Sequence, residues 1–271
     1  MIACMQIITL QSGSNGNCYF VKSRGVQLLF DAGITGKQAQ QRLAAAGQNI
    51  FSTDALIISH NHADHVKYAG IYCRKFSLPV YMTSKTYSTA HAKFNLGCID
   101  HLNHFRSGSV LEFCDITVET IRTPHDAVDS VAFIVDDGRH RLGILTDLGH
   151  VFDGLQDQIH SLDAVILESN YDAAMLEKGW YPETLKRRIR GDGGHLSNTE
   201  SAQLLKSSAS QRLQWVCLAH LSEENNSPAV ARRAHRSVYG ERIPIHVASR
   251  QQATKILEVE DRISTTQFPQ T

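Results

Sequence analysis

Four side chains able to bind metal stand within six residues of the segment SHNHADH: His60, His62, Asp64 and His65. Imidazole nitrogen and carboxylate oxygen are ligands for zinc, and they also accept manganese or iron. The run follows DALIIS, a short apolar stretch of strand character, so it emerges where a buried strand ends. The same pairing recurs along the chain. Asp31 ends VQLLFD, His125 follows ITVETIRTP, Asp147 ends RLGILTD and His220 ends WVCLAH. His195 lies in the glycine-rich stretch GDGGHLSN.

Together these residues could hold two divalent ions. His60, His62 and His125 are assigned to one, and Asp64, His65 and His220 to the other. Asp147 bridges them, because a carboxylate has two oxygens. Asp31 is expected to hydrogen-bond a ligand imidazole and fix its tautomer. Such a pair of ions addresses a specific difficulty. Hydroxide is scarce at neutral pH, and an anionic phosphodiester repels it. Bound metal lowers the pKa of water to about 7, and a second ion about 3.5–4 Å away steadies the accumulating negative charge.

The elements that must position these groups are short strands and helices. QIITL, CYFVKS, VQLLFD, DALIIS and PVYMT read as strands in the first half. Helices are predicted over 35–47, from about Asp64 to Phe76, and through Lys93. VLEF, ITVETIR, SVAFIVD and HRLGILTD follow as four strands, with a turn at Asp136, Asp137 and Gly138. Strands DAVILE, LQWVCLA and PIHVAS then alternate with helices over YDAAMLEKG, PETLKRRIRG, NTESAQLLKSSA and SPAVARRAHRSVYG. The helix of NTESAQLLKSSA is expected to take Asn198 as its cap. Periodicity alone supports a mixed α/β fold. With no repeat, low-complexity run or linker, residues 1–271 read as a single domain with a loose tail after about 265.

Bulk composition narrows the function classes. Apolar residues make up 42% and charged residues 20%, ordinary for a globular protein. Lys plus Arg and Asp plus Glu each number 27, so nucleic-acid binding would need a local patch or bound metal. The six cysteines are scattered without a C-x-x-C pair, which points to a reducing, cytoplasmic setting. MIACMQIITL lacks a basic start, so no signal peptide is expected, and no run of about 18 apolar residues suggests a membrane span.

FDAG, SHNHADH, TPH, TD and LAH fall in the order of the metal motifs of the metallo-β-lactamase superfamily, which the chain resembles over nearly its whole length. More narrowly, SGSNGNCYFV, TPHDAVDSVAF, LESNYD, GGHLSN and LAHLSEENNSP resemble the YycJ/WalJ group, related to RNase J-type nucleases. The resemblance implies an αββα sandwich of two mixed sheets flanked by helices. It also implies a phosphodiesterase carrying two zinc or manganese ions, with iron a further option. For this group it implies 5′-to-3′ exonuclease action on double-stranded DNA through a hydroxide bridging the ions. The same resemblance casts Glu168 as the orienting partner of His195, which would stabilise the phosphorane or protonate the leaving oxygen. Asp64 joins these two as a catalytic residue as well as a ligand. RNase J-like enzymes carry a large inserted domain between these motifs, whereas only residues 169–194 lie between them here.

Candidate substrate contacts are less specific. Ser12, Ser14, Asn15 and Asn17 of SGSNGN could donate to a phosphate. Lys186, Arg187, Arg188 and Arg190, and likewise Arg232, Arg233 and Arg236, could neutralise backbone phosphates or simply face solvent. Trp180 and Tyr181 could stack on bases, but burial against a sheet is the favoured reading. Asp126 adjoins His125 without a role that the sequence can choose. The alternatives are a ribonuclease, a hydrolase of small esters, thioesters or lactones, and a metal-stabilised binding protein.

Overall fold

The computed structural model describes residues 4–261, so the tail expected to be loose lies outside the described residues. The chain begins with three antiparallel strands, β1 (Met5–Gln11), β2 (Cys18–Ser23) and β3 (Val26–Phe30). Helix α1 (Gly36–Ala45) crosses over to β4 (Ala55–Ile57). Helices α2 (Ala63–Val66) and α3 (Ala69–Phe76) lead to β5 (Val80–Thr83), and α4 (Ser84–Phe94) leads to β6 (Leu102–Phe105). These last three strands add in parallel to β3.

The second half repeats this plan. An antiparallel meander comes first: β7 (Val110–Phe113), β8 (Ile116–Arg122), β9 (Val131–Asp136) and β10 (Arg141–Leu145). Helix α5 (Leu155–His160) then precedes β11 (Ala164–Glu168). Helices α6 (Ala173–Lys178), α7 (Glu183–Arg190) and α8 (Asn198–Ser208) precede β12 (Trp215–Ala219). Helix α9 (Pro228–Tyr239) leads to β13 (Ile245–Val247), and β14 (Leu257–Val259) returns to the edge of the first sheet beside β1. The result is two mixed seven-stranded sheets.

Alternation along the strands dictates the layering. In β1 to β3, Met5, Ile7, Tyr19, Val21, Leu28 and Phe30 point to the second sheet, while Ile8, Leu10, Phe20 and Leu29 point to α1, α3 and α4. In β11 and β12, Ile166 and Cys217 face inward, while Val165, Leu167, Val216 and Leu218 pack under α5, α8 and α9. Phe30 and Phe133 meet across the sheets with ring centroids 5.0 Å apart. Three buried layers, one between the sheets and one outside each, make the αββα sandwich.

Three local expectations need correction. The helix predicted over Asp64 to Phe76 is broken at Lys67 and Tyr68. Its continuation would need Tyr68 N–H to reach the Asp64 carbonyl, but that carbonyl accepts from Asn17 N–H at 2.7 Å. The His65 carbonyl is likewise taken by Ala32 N–H at 2.6 Å. The cap of α8 is Ser197, in a reciprocal capping box with Glu200, and Asn198 is its first residue. Strands β6 and β14 and helix α5 escape the sequence reading. They are short, and β6 alternates only weakly, with two exposed residues in its centre.

Candidate metal centre

All the singled-out ligands leave the carboxyl ends of strands or the loops just beyond them, on one rim of the sandwich. This is the rim where open α/β sheets collect ligands. Asp31 follows β3, the SHNHADH turn follows β4, His125 follows β8, Asp147 follows β10, Glu168 ends β11 and His220 follows β12. Asp31, Asp147 and His220 share an unusual backbone, with φ of 62°, 57° and 56°. Left-handed backbone at a non-glycine residue costs about 1–2 kcal/mol and concentrates at functional sites. Here it turns each side chain off its strand and across the rim.

The ligand atoms converge as two triads. Those of His60, His62 and His125 lie within 4.8 Å of one another, and so do those of Asp64, His65 and His220. Asp147 reaches both: its Oδ1 is 3.6 Å from His125 Nε2 and its Oδ2 is 3.4 Å from His65 Nε2. Hydrogen bonds fix the tautomers. His65 Nδ1 donates to Asp31 at 2.7 Å, His125 Nδ1 to the Gly194 carbonyl at 3.1 Å, and His60 Nδ1 to Ser59 Oγ at 2.9 Å. Each of these leaves Nε2 facing the centre. Ser59 in turn donates to Asp31, so one hydroxyl coordinates both imidazoles and their acid.

Electrostatics separate the triads. Burial, with the neighbouring His125 ring, pushes His62 down to about 4. Burial and the neighbouring imidazoles hold His60 well below its usual range, and burial outweighs Asp147 at His125. These three rings are neutral and ready to donate a lone pair. Burial also opposes charge on the other two, but Asp147 with Asp31 and Asp64 holds His65 well above the usual range. Against the same burial, Asp147, Asp64 and Glu168 lift His220 to about 10. The carboxylates themselves stay ionised despite burial, Asp64 through His65, Asp147 through His220 and Glu168 through His195.

The residues fit two cations. His60 Nε2, His220 Nε2 and Asp147 Oδ2 are buried and have no protein hydrogen-bond partner, a costly state unless a cation takes their lone pairs. The imidazole and carboxylate donor set is that of divalent zinc or manganese.

Glu168 sits beneath the centre, fully buried. Its Oε1 accepts from His195 Nδ1 at 2.7 Å and lies 3.3 Å from His220 Nδ1. Its Oε2 accepts from the Leu148 and Leu196 N–H groups. Behind it is a buried polar network that the sequence reading missed. Asn226 Nδ2 donates to the Ser169 and Asn170 carbonyls, both at 2.9 Å, and Asn198 Nδ2 donates to Asn226 Oδ1 at 3.0 Å. Asn170 Nδ2 donates to the His220 carbonyl at 2.7 Å. The network therefore ties LESN, HLSN and NNSP together, which are the segments that carry Glu168, His195 and the residues after His220. Their repeated Asn and Ser were the available signal.

A cleft of about 330 Å³ opens above the centre, lined by His62, Asp64, Asp147, His195 and His220 among others. Ser14, Lys93, Tyr181 and Arg188 also line it. Lys93, from α4, carried no sequence signal. Arg188 Nε donates to Asp126, whose other oxygen is 3.6 Å from both His62 Nε2 and His125 Nε2.

Other candidates stand elsewhere. Ser12 is 1% exposed and accepts from His220 N–H at 2.8 Å, so it braces a ligand loop and has no surface for a phosphate. Asn17 is also buried and donates to Asp64. Asn15 is exposed and donates to the Arg250 carbonyl. Lys186 is buried on the Glu177 carbonyl, Arg190 pairs with Glu177 and Glu183, and Arg187 faces solvent. Arg232, Arg233 and Arg236 do not line the cleft, and Arg232 borders a separate depression with His246. Trp180 is not buried against a sheet: it is 74% exposed.

Comparison with known proteins agrees with this geometry. A model described as a β-lactamase superfamily domain matches residues 27–216. The exodeoxyribonuclease YycJ of Bacillus anthracis is 34% identical over 254 residues, covering 91% of this chain and 96% of the relative. The exodeoxyribonuclease WalJ of Streptococcus pneumoniae is 34% identical over 226 residues, covering 82% and 83%. Among solved structures, the metallo-β-lactamase fold protein YhfI of Bacillus subtilis superposes with a TM-score of 0.71 at 18% identity, covering 94% of this chain and 99% of that one. Human tRNase Z, short form, superposes with a TM-score of 0.64 at 17% identity, covering 93% and 99%. At such identities the structural likeness speaks for the fold alone. With the family match, the two curated relatives and the paired triads together, the chain belongs to the metallo-β-lactamase superfamily and is a metal-dependent hydrolase.

Proposed function

We propose that the protein is a 5′-to-3′ exonuclease acting on double-stranded DNA, with residues 1–271 forming one domain. The observation that carries this reading is the Glu168–His195 pair beside the two triads. When bound, the ions would supply an activated water and neutralise charge on the phosphate. His60, His62 and His125 would hold one, Asp64, His65 and His220 the other, with Asp147 between them. What remains is a proton for the departing oxygen. His195 lines the cleft, and its Nδ1 is engaged by Glu168, so Nε2 is the atom that meets the substrate. Glu168 is fully buried and ionised, and its bond to Nδ1 fixes the orientation of that ring.

Lys93 at the cleft supplies local positive charge in a chain of zero net charge, with Arg188, also at the cleft, partly offset by Asp126, as suits an anionic polymer. The naming of both curated relatives as exodeoxyribonucleases supports DNA as the substrate. The described cysteines are all free, three of them buried, in keeping with a reducing cytoplasm. No described helix is long and apolar enough to cross a membrane.

The test is digestion of matched duplex DNA, single-stranded DNA and RNA with Mn²⁺, using either 5′ end chemistry, alongside Asp64→Ala. The expected result is stepwise loss of 5′-phosphorylated duplex by the parent and none by the variant. Turnover of acyl thioesters with every nucleic acid left intact would replace this reading with a small-molecule hydrolase.

A further inference from the structure

Trp180 is the most exposed of the large hydrophobic side chains described, at 74%. It sits in the short bridge between α6 and α7, within the segment that separates Glu168 from His195. An open indole is costly in water, so its position matters. Tyr181, the next residue, lines the cleft together with Arg188 and His195. The two rings meet edge to face, with centroids 5.0 Å apart and planes at 83°. The indole is anchored as well as exposed. Its Nε1–H donates to Glu224 Oε2 at 3.2 Å, in the loop after His220, and the same loop holds the start of α6 through Asp172 N–H to the Asn225 carbonyl at 2.8 Å.

On the exonuclease reading, we propose that Trp180 and Tyr181 form a stacking shelf for a base at the end of the DNA strand being degraded. Charge decides which part of a nucleotide fits there. Glu224 beside the indole repels a phosphate, whereas a base presents a flat, uncharged face. Lys93 and Arg188, also on the cleft wall, present cations that attract the phosphates, Arg188 beside its partner Asp126. Base against shelf and backbone against cations therefore thread one strand end toward His195. Aromatic stacking tolerates any base, as a nuclease without sequence preference requires.

The chain has two tryptophans, and the other, Trp215, is 5% exposed with its Nε1–H bound to the Glu258 carbonyl at 2.7 Å. Emission changes on DNA binding therefore report Trp180. The full-length, metal-loaded protein is titrated with 5′-phosphorylated duplex whose terminal linkages are phosphorothioates that resist hydrolysis. A saturable fall in emission is expected, and it is lost when the terminal nucleotides are abasic. In turnover, Trp180→Ala raises KM for duplex DNA about 5- to 150-fold relative to KM for the baseless diester bis(p-nitrophenyl) phosphate. Trp180→Phe recovers most of that ratio. An emission response equal for abasic and intact ends, or no response to any DNA, overturns the shelf. The emission test decides the shelf whether or not DNA is cut, whereas failure to hydrolyse any DNA overturns the exonuclease reading itself.

Discussion

His195 and Glu168 pose the sharpest question about a single side chain. Glu168 touches both His195 and His220, and ligand-capable atoms of Asp147, Glu168, His195 and His220 also converge within 4.8 Å. His195 could therefore serve as a ligand or as the proton donor argued above. The two roles separate cleanly in His195→Ala. A proton donor predicts a fall in kcat of about 10²–10⁴-fold with metal content unchanged at two equivalents. Elemental analysis of the same purified variant decides: loss of one equivalent would make His195 a ligand. The residue types at the site were legible because imidazoles and carboxylates at strand ends have few structural uses. The left-handed backbone at Asp31, Asp147 and His220 was not legible, since nothing in an isolated aspartate or histidine announces its φ.

The element that matters most is the turn after β4. Its geometry is set by the neighbours that capture the Asp64 and His65 carbonyls, and Gly33 is what lets them come so close. A Cβ built on Gly33 would lie 1.7 Å from the Asp64 carbonyl oxygen. That oxygen is backbone and cannot swing away, so the glycine of FDAG serves the ligand turn of SHNHADH across the sheet. Gly33→Ala is expected to destabilise the fold by about 3 kcal/mol or more and to release metal. Urea unfolding together with metal stoichiometry checks both parts. A similar close approach occurs at Gly194, where a Cβ would lie 2.1 Å from the Ile189 carbonyl oxygen; the Gly194 carbonyl itself binds His125. Strands and helices were mostly readable from alternation and caps, because burial imposes both. The break at Tyr68 was not, because its cause is a pair of hydrogen bonds from residues 32 and 17, remote in sequence. The α8 cap was misread for a related reason: Asn198 is drawn into the network beneath Glu168, leaving Ser197 to cap.

Across the molecule, polar order extends well below the cleft. His235 on α9 is fully buried against Ser169, and burial alone lowers it to about 4 from 6.5. The unfolded chain takes up this proton near 6.5, whereas the folded protein resists until about 4. The associated stability is thus complete above about pH 6.5 and is lost as pH falls toward 4, by about 3 kcal/mol in all. His235→Gln should flatten that acid slope. Urea midpoints of parent and variant at pH 7 and pH 4.5 test it, and parallel slopes would refute it. At this scale the αββα layering was legible through the order of motifs, while the closing of the first sheet by β14 was hidden in the short run LEV.

The two halves meet at the rim, and each triad draws on both. His60, His62, Asp64 and His65 come from the first sheet's loops, and His125 and His220 from the second's. Neither half can assemble a complete set alone. On the proposed assignment, a chain emerging from the ribosome lacks its last ligand until residue 220 has been made, and it lacks a closed first sheet until β14 follows. An interrupted translation product would lack a complete ligand set for the second ion, so loading of that ion would double as a sign that synthesis had passed that point.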